Sequence, residues 1–323
     1  MRTRISFVIC VTLALVLQTA DASDKVIIRF GHFPNITHAQ GVIAHALSRE
    51  GRGWFEERLG PNVEIQWFIY NAGPSAMEAI FANSLDVTYV GQGPALTAHL
   101  KSNGEEIRVI SGAATGGAAL VIKADGGINT GQDLRGKKIA TPQLGNTQDI
   151  SCRAWLKAQG FKVTQLGGDV MVIPAANADQ LALFQSGAVD AVWTIEPWVT
   201  RLEREAKGKA FLEDTNVLTT WLVSSAKFLA THRELASKIA AANVELTQWI
   251  NDHPDQAQKI VRSELKAETR SDFSSDDIAH AWKRIKFTTE ASTDLITKAV
   301  QDGKDAGFLK GNTDTSRLVK VLE

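Results

Sequence analysis

The chain has 323 residues, 44% of them hydrophobic, with 35 basic against 36 acidic side chains and a mean hydropathy of −0.09. That length is about two domains' worth, and the apolar fraction supports buried cores while excluding both a disordered chain and a polytopic membrane protein. A net charge of −1 with no basic run gives no pull toward nucleic acid or anionic membranes, and two cysteines exclude a disulfide-dense scaffold or a multi-cysteine metal centre.

Met1-Arg2-Thr3-Arg4 is a basic start, Ile5 to Leu17 an apolar run, and Ala20-Asp21-Ala22 a small-x-small cleavage site. Together they read as a secretory signal peptide over residues 1–22, which implies a periplasmic protein. The 13-residue run is short of the roughly 20 residues a bilayer span needs. Cys10 sits behind Phe7-Val8-Ile9 with no small residue before it, so a lipoprotein is not expected. The mature chain keeps only Cys152, in a helical pattern, and it reads as a small core residue and not as a nucleophile.

Strands then alternate with helices. Residues 25–30 predict a strand, and Asn35-Ile36-Thr37 opens a helix to about Arg49. Strands over 63–70 and 86–90 are each followed by a helix, at Gly73–Ala82 and Ala95–Leu100. The pattern resumes with strands at 138–141, 170–173 and 190–193, helices at about 146–159 and 178–184, and a turn into another helix at Glu196-Pro197-Trp198. Leu235, Ile239, Ala242, Leu246 and Trp249 keep helical spacing until His253-Pro254 stops them, and helices from about Asp276 and Glu290 follow. Such alternation implies largely parallel sheets covered by helices.

The second run echoes the first. At an offset of 103, Ile69 falls on Val172, Phe81 on Phe184 and Pro94 on Pro197; Asp86 answers Asp190 after a one-residue slip, and Asn35 answers Asn146. Two related α/β lobes are therefore expected. Ala118–Lys123 and Trp221–Ser225, extended and apolar, read as connections between them. The first lobe takes residues 24–115 plus 223–323 and the second 116–222, so two crossings form a hinge that lets the lobes close on a ligand.

Enzyme signatures are absent. There is no His-Glu-x-x-His, no P-loop and no Gly-x-Ser-x-Gly. Gly91-Gln92-Gly93 lacks the third glycine of a dinucleotide fingerprint. His32, His38 and His45 do not have the i, i+4 spacing of a helical metal pair and read as surface or capping residues, so neither a metal nor a cofactor is expected. One device does recur. Asn35-Ile36-Thr37-His38, Gly73-Pro74-Ser75, Gly91-Gln92-Gly93-Pro94 and Gly145-Asn146-Thr147-Gln148 each place small or polar residues where a strand turns into a helix. In a parallel sheet these loops gather where ligands bind. Each helix start offers unpaired N–H groups and a partial positive charge, which suit a small oxyanion.

Several ordered segments carry a resemblance: Gly31 to Ala39, Asn71 to Ser75, Asp86 to Pro94, Asp133 to Ala140 and Asp190 to Pro197. Through them nearly the whole mature chain resembles the periplasmic substrate-binding proteins of the nitrate/sulfonate/taurine branch of ABC importers. The resemblance implies a bilobal α/β fold of the type II periplasmic-binding-protein class that takes a small anion or zwitterion into its cleft, delivers it to a membrane permease, and acts as a monomer and not as an enzyme. Carried over by position, Asn35, Thr37, His38, Ser75, Gln92 and Gly93 line the cleft from the first lobe. Asn146, Thr147 and Gln148 close it from the second, Glu196 and Trp198 sit at the last loop, and Thr115 and Gly116 lie by the first crossing. Glu196 disfavours a bare anion and suits an amine such as taurine's. The alternatives are a receptor for a thiamin-precursor pyrimidine or other heteroaromatic, stacked on Trp198 or Phe33, and an enzyme on the same fold.

Overall fold

The computed structural model describes residues 25–164, 167–215 and 217–322. The signal-peptide expectation, with Cys10, lies outside them. The strands are β1 (Val26–His32), β2 (Val63–Ile69), β3 (Val87–Val90), β4 (Ile107–Gly116), β5 (Ala118–Lys123), β6 (Lys138–Thr141), β7 (Val163–Thr164), β8 (Gly167–Gly168), β9 (Met171–Pro174), β10 (Ala191–Ile195), β11 (Gly208–Asp214), β12 (Leu218–Ser225) and β13 (Ile285–Phe287). The helices are α1 (Ala39–Arg49), α2 (Trp54–Leu59), α3 (Gly73–Phe81), α4 (Gln92–Lys101), α5 (Thr147–Ala158), α6 (Asn177–Ser186), α7 (Trp198–Glu205), α8 (Ala226–Thr231), α9 (Arg233–Asp252), α10 (Pro254–Thr269), α11 (Ser275–Trp282) and α12 (Thr293–Ala306).

Two sheets carry the fold. The first has the order β13-β4-β12-β3-β1-β2 and the second β11-β5-β10-β6-β9. Each contains three parallel strands (β2-β1-β3 and β9-β6-β10) extended by antiparallel ones. Apolar clusters cover both faces of each sheet, which is why the parallel strands read as near-continuous hydrophobic runs. This two-sheet α/β architecture is the one the alternating strands and helices predict, and Cys152 lies in the core of the second sheet.

The internal echo has a structural counterpart. Asp86 Oδ2 accepts from Arg29 N of β1 at 2.9 Å, and Asp190 Oδ2 accepts from Lys138 N of β6 at 2.9 Å. Each aspartate thus ties the start of one parallel strand to its neighbour, in the same place in both sheets.

The crossings lie elsewhere than the apolar segments suggested. Ala118–Lys123 is strand β5 of the second sheet, and Trp221–Ser225 belongs to β12 of the first. The chain passes between sheets at Gly117 and again between Asp214 and Leu218, so residues 218–222 pair in the first sheet. Apolar extended segments are strand-like because they are buried; the true crossings are short. Gly117 has φ +78, and a Cβ there would meet the Thr37 methyl at 3.0 Å.

Candidate functional site

Loops from both sheets meet in a cleft lined by Phe33, Asn35, His38, Asn71, Ala72, Gly73, Gly91, Pro94, Pro142, Asn146, Thr147, Gln148, Asn177, Ile195 and Thr219. Its volume is about 20 Å³, which holds about one water molecule. The lobes are closed on one another. Gly93 N donates to Thr147 Oγ1 at 3.2 Å, Asn71 Nδ2 to the Pro142 carbonyl at 3.2 Å, and Gln143 Nε2 to Ser75 Oγ at 3.0 Å. A ligand therefore enters only when the lobes part.

Of the expected residues, Asn35, His38, Asn146, Thr147 and Gln148 line the cleft. Asn146 caps α5, its Oδ1 accepting from Asp149 N at 2.8 Å, while its Nδ2 donates to Gln148 Oε1 at 2.9 Å. His38 is buried, its ring lies tilted at 31° against Phe33 with centroids 4.3 Å apart, and its Nδ1 has no hydrogen-bond partner among the described residues. Burial, then the neighbouring His32, push its imidazole well below the usual histidine range, so the ring is neutral. Ser75 and Gly93 bridge to the opposite lobe, and Thr37 Oγ1 and Gln92 Oε1 are buried beside the lining without hydrogen-bond partners among the described residues.

Four expected residues lie elsewhere. Thr115 and Gly116 line a different pocket of about 450 Å³ with Lys283, Arg284 and Lys286, because β4 runs past the cleft to pair with β13. Glu196 is fully buried, but its carboxylate turns away to accept from Arg284 Nη1 at 2.8 Å, Thr200 N at 3.0 Å and Thr200 Oγ1 at 3.0 Å. Trp198 lies behind the lining: its Nε1 donates to Asn35 Oδ1 at 2.9 Å and its ring meets Phe273 edge-on at 5.7 Å. It holds Asn35 in place and offers no free face for a ligand ring. The three histidines read as surface or capping groups are all buried; His38 does stand at the N-cap position of α1, but its side chain makes no capping hydrogen bond.

Asn177 is the main residue the sequence reading passed over. It opens α6 directly after β9, donates to Asn35 Oδ1 at 3.4 Å and accepts from Thr194 Oγ1 at 3.0 Å. The strand-to-helix device is present there, but Ala175-Ala176 replaces the glycine that flagged the other loops.

A family model described as the NMT1-like family matches residues 21–264. A Bacillus subtilis (strain 168) protein named for aliphatic sulfonate binding is 26% identical over 294 residues, covering 84% of this chain and 85% of that protein. Among solved structures, the alkanesulfonate-binding protein SsuA from Xanthomonas axonopodis pv. citri bound to MOPS superposes with TM-score 0.73 at 16% identity, covering 93% of this chain and 99% of that one. The periplasmic nitrate-binding protein NrtA from Synechocystis PCC 6803 superposes with TM-score 0.74 at 13% identity, over 92% and 86% of the two chains.

Proposed function

The chain belongs to the NMT1-like family, and from that premise we propose that it is the extracytoplasmic solute-binding receptor of an ABC importer, capturing a small oxyanion and handing it to the permease. The cleft lining carries this reading. Asn35, Asn71, Asn146, Gln148 and Asn177 supply amides, Thr147 and Thr219 hydroxyls, and His38 a neutral imidazole, with no Lys, Arg, Asp or Glu among the lining residues. The starts of α3, α4 and α5 also border it. Such a lining solvates an anion with oriented dipoles and leaves no net charge behind when the ligand departs. With Glu196 engaged by Arg284, no lining carboxylate receives a ligand amine, which favours an aliphatic sulfonate or nitrate over the zwitterion taurine. The names of the Bacillus, Xanthomonas and Synechocystis proteins support the same class.

Export by residues 1–22 into the periplasm and action as a monomer complete the proposal. Ligand binding stabilises the closed form, and the permease reads that form. The test is thermal unfolding of the mature chain against a panel of alkanesulfonates, taurine, nitrate and a pyrimidine. The expected result is stabilisation by a sulfonate or nitrate, about 2.7 kcal/mol at one hundred times its Kd, with the ligand recovered unchanged. Stabilisation by the pyrimidine alone would replace the oxyanion, and a chemically altered ligand would make the chain an enzyme.

A further inference from the structure

The first lobe gathers a second set of polar groups that anion capture does not use. His32 ends β1, His45 and Arg49 lie one turn apart on α1, and Glu264 and Glu268 lie one turn apart on α10. The side chains of His32 and Glu268 are wholly buried. His32 Nε2, His45 Nδ1 and Glu268 Oε1 form a triangle with edges of 2.8 Å (His32 to His45), 3.1 Å (His45 to Glu268) and 3.2 Å (His32 to Glu268). The other carboxylate oxygen, Glu268 Oε2, is buried with no hydrogen-bond partner among the described residues.

With Glu268 ionised, protons cannot satisfy this triangle. A ring nitrogen either donates or accepts, and an ionised carboxylate oxygen only accepts. If only His32 carries hydrogen on the facing nitrogen, the His45–Glu268 edge sets lone pair against lone pair. If only His45 does, the His32–Glu268 edge is bare. If both do, two N–H groups meet across 2.8 Å. The outer contacts favour the second case. His32 Nδ1 faces the Phe33 carbonyl at 3.4 Å, and His45 Nε2 accepts from Arg49 Nε at 3.2 Å. Three donor atoms then converge around a single proton.

We propose that this triangle is a zinc-type transition-metal site, with His32, His45 and Glu268 as ligands. Zinc holds nitrogen and carboxylate ligands at about 2.0–2.2 Å, so tetrahedral donors lie about 3.3 Å apart, close to the observed edges. Two imidazoles and a carboxylate form a donor set that zinc takes with a fourth position open. Glu264 Oε1 lies 3.8 Å from His45 Nδ1 and adds a second carboxylate near the triangle. The His32 Nδ1 contact to a backbone carbonyl is the usual outer support of a ligating histidine. Arg49 is the competing cation, 2.7 Å from Glu264 Oε1 and 3.5 Å from Glu268 Oε1. Its side chain is 42% exposed and free to swing outward when the His45 proton moves to Nε2 on metal binding. The bound ion ties α10 to α1 and β1, and this stands whether or not the cleft takes an oxyanion.

The experiment strips the mature chain with a chelator, titrates it with Zn²⁺ alone, and measures binding by calorimetry and metal content per chain after desalting. Co²⁺ substitution reports the geometry. One zinc per chain and the visible spectrum of four-coordinate cobalt are expected. Glu268→Gln, nearly the same shape as the native residue, and His45→Ala each lower affinity at least about tenfold, whereas Arg49→Ala raises it. A native chain that retains no more zinc than Glu268→Gln, or cobalt that stays six-coordinate, overturns the site.

Discussion

Asn146 shows how one side chain serves fold and site together. Its Oδ1 caps α5 while the residue lines the cleft. Aspartate is an equally good cap and its charge suits a helix start. Asn146→Asp is therefore expected to keep thermal stability while oxyanion affinity falls at least about tenfold, measured by calorimetry. Unchanged affinity would remove the anion from beside α5. Glu196 makes the opposite case, a residue whose sequence position suggested the ligand and whose partner lies 88 residues away. Burial pushes its carboxyl up to about 7, against the Thr200 N–H and the Arg284 guanidinium, which hold it down. The folded chain thus keeps a proton that the unfolded chain, with a pKa of about 4.3, releases. The stability linked to that proton is present below about pH 4.3 and is lost as pH rises through about 7. Denaturant unfolding at intervals from pH 4.5 to 7.5 should show this fall, and Glu196→Gln should flatten it. Neither Glu196 nor Trp198 was readable as turned from the cleft, because local pattern locates a loop but not the direction of its side chains.

At the scale of elements, the alternating strands and helices of both lobes were legible, as was their internal echo. The misses have physical causes. Strands β11 and β13 lie at sheet edges and are only partly buried, so they lack a hydrophobic signature. Pro254 ends one helical pattern, yet it also stands at the first position of α10, where its missing N–H costs nothing. That helix packs its buried Ala257, Val261 and Leu265 into the core under β1 and α1. Leu265→Ala should cost about 2–5 kcal/mol in chemical denaturation without changing oxyanion affinity, since α10 does not reach the cleft lining. A loss of affinity in proportion to stability would instead couple this helix to the cleft.

The whole molecule is two interleaved lobes joined at short crossings and bridged when closed. Arg284, just before β13 of the first sheet, pairs with Glu196, Glu203 and Glu213 around the second sheet, at 2.8, 2.8 and 3.0 Å. Gly91 tests the bridging directly. Its φ of −71 suits any residue, but a Cβ there would lie 2.2 Å from Thr147 Oγ1 of the opposite lobe. Gly91→Ala should leave each lobe folded, shift the average toward the open form in small-angle scattering, and weaken ligand binding about tenfold, since only the closed population binds tightly. The sequence by itself determined the α/β alternation, the paired lobes, the loops that gather at the cleft and the family resemblance, because each is written in local periodicity, caps and short motifs. Only the tertiary structure decided which of those loops line the cleft, that Arg284 claims Glu196, and that His32, His45 and Glu268 converge. Those contacts join residues far apart in the chain, and their geometry comes from how sheets and helices pack, which no local pattern encodes.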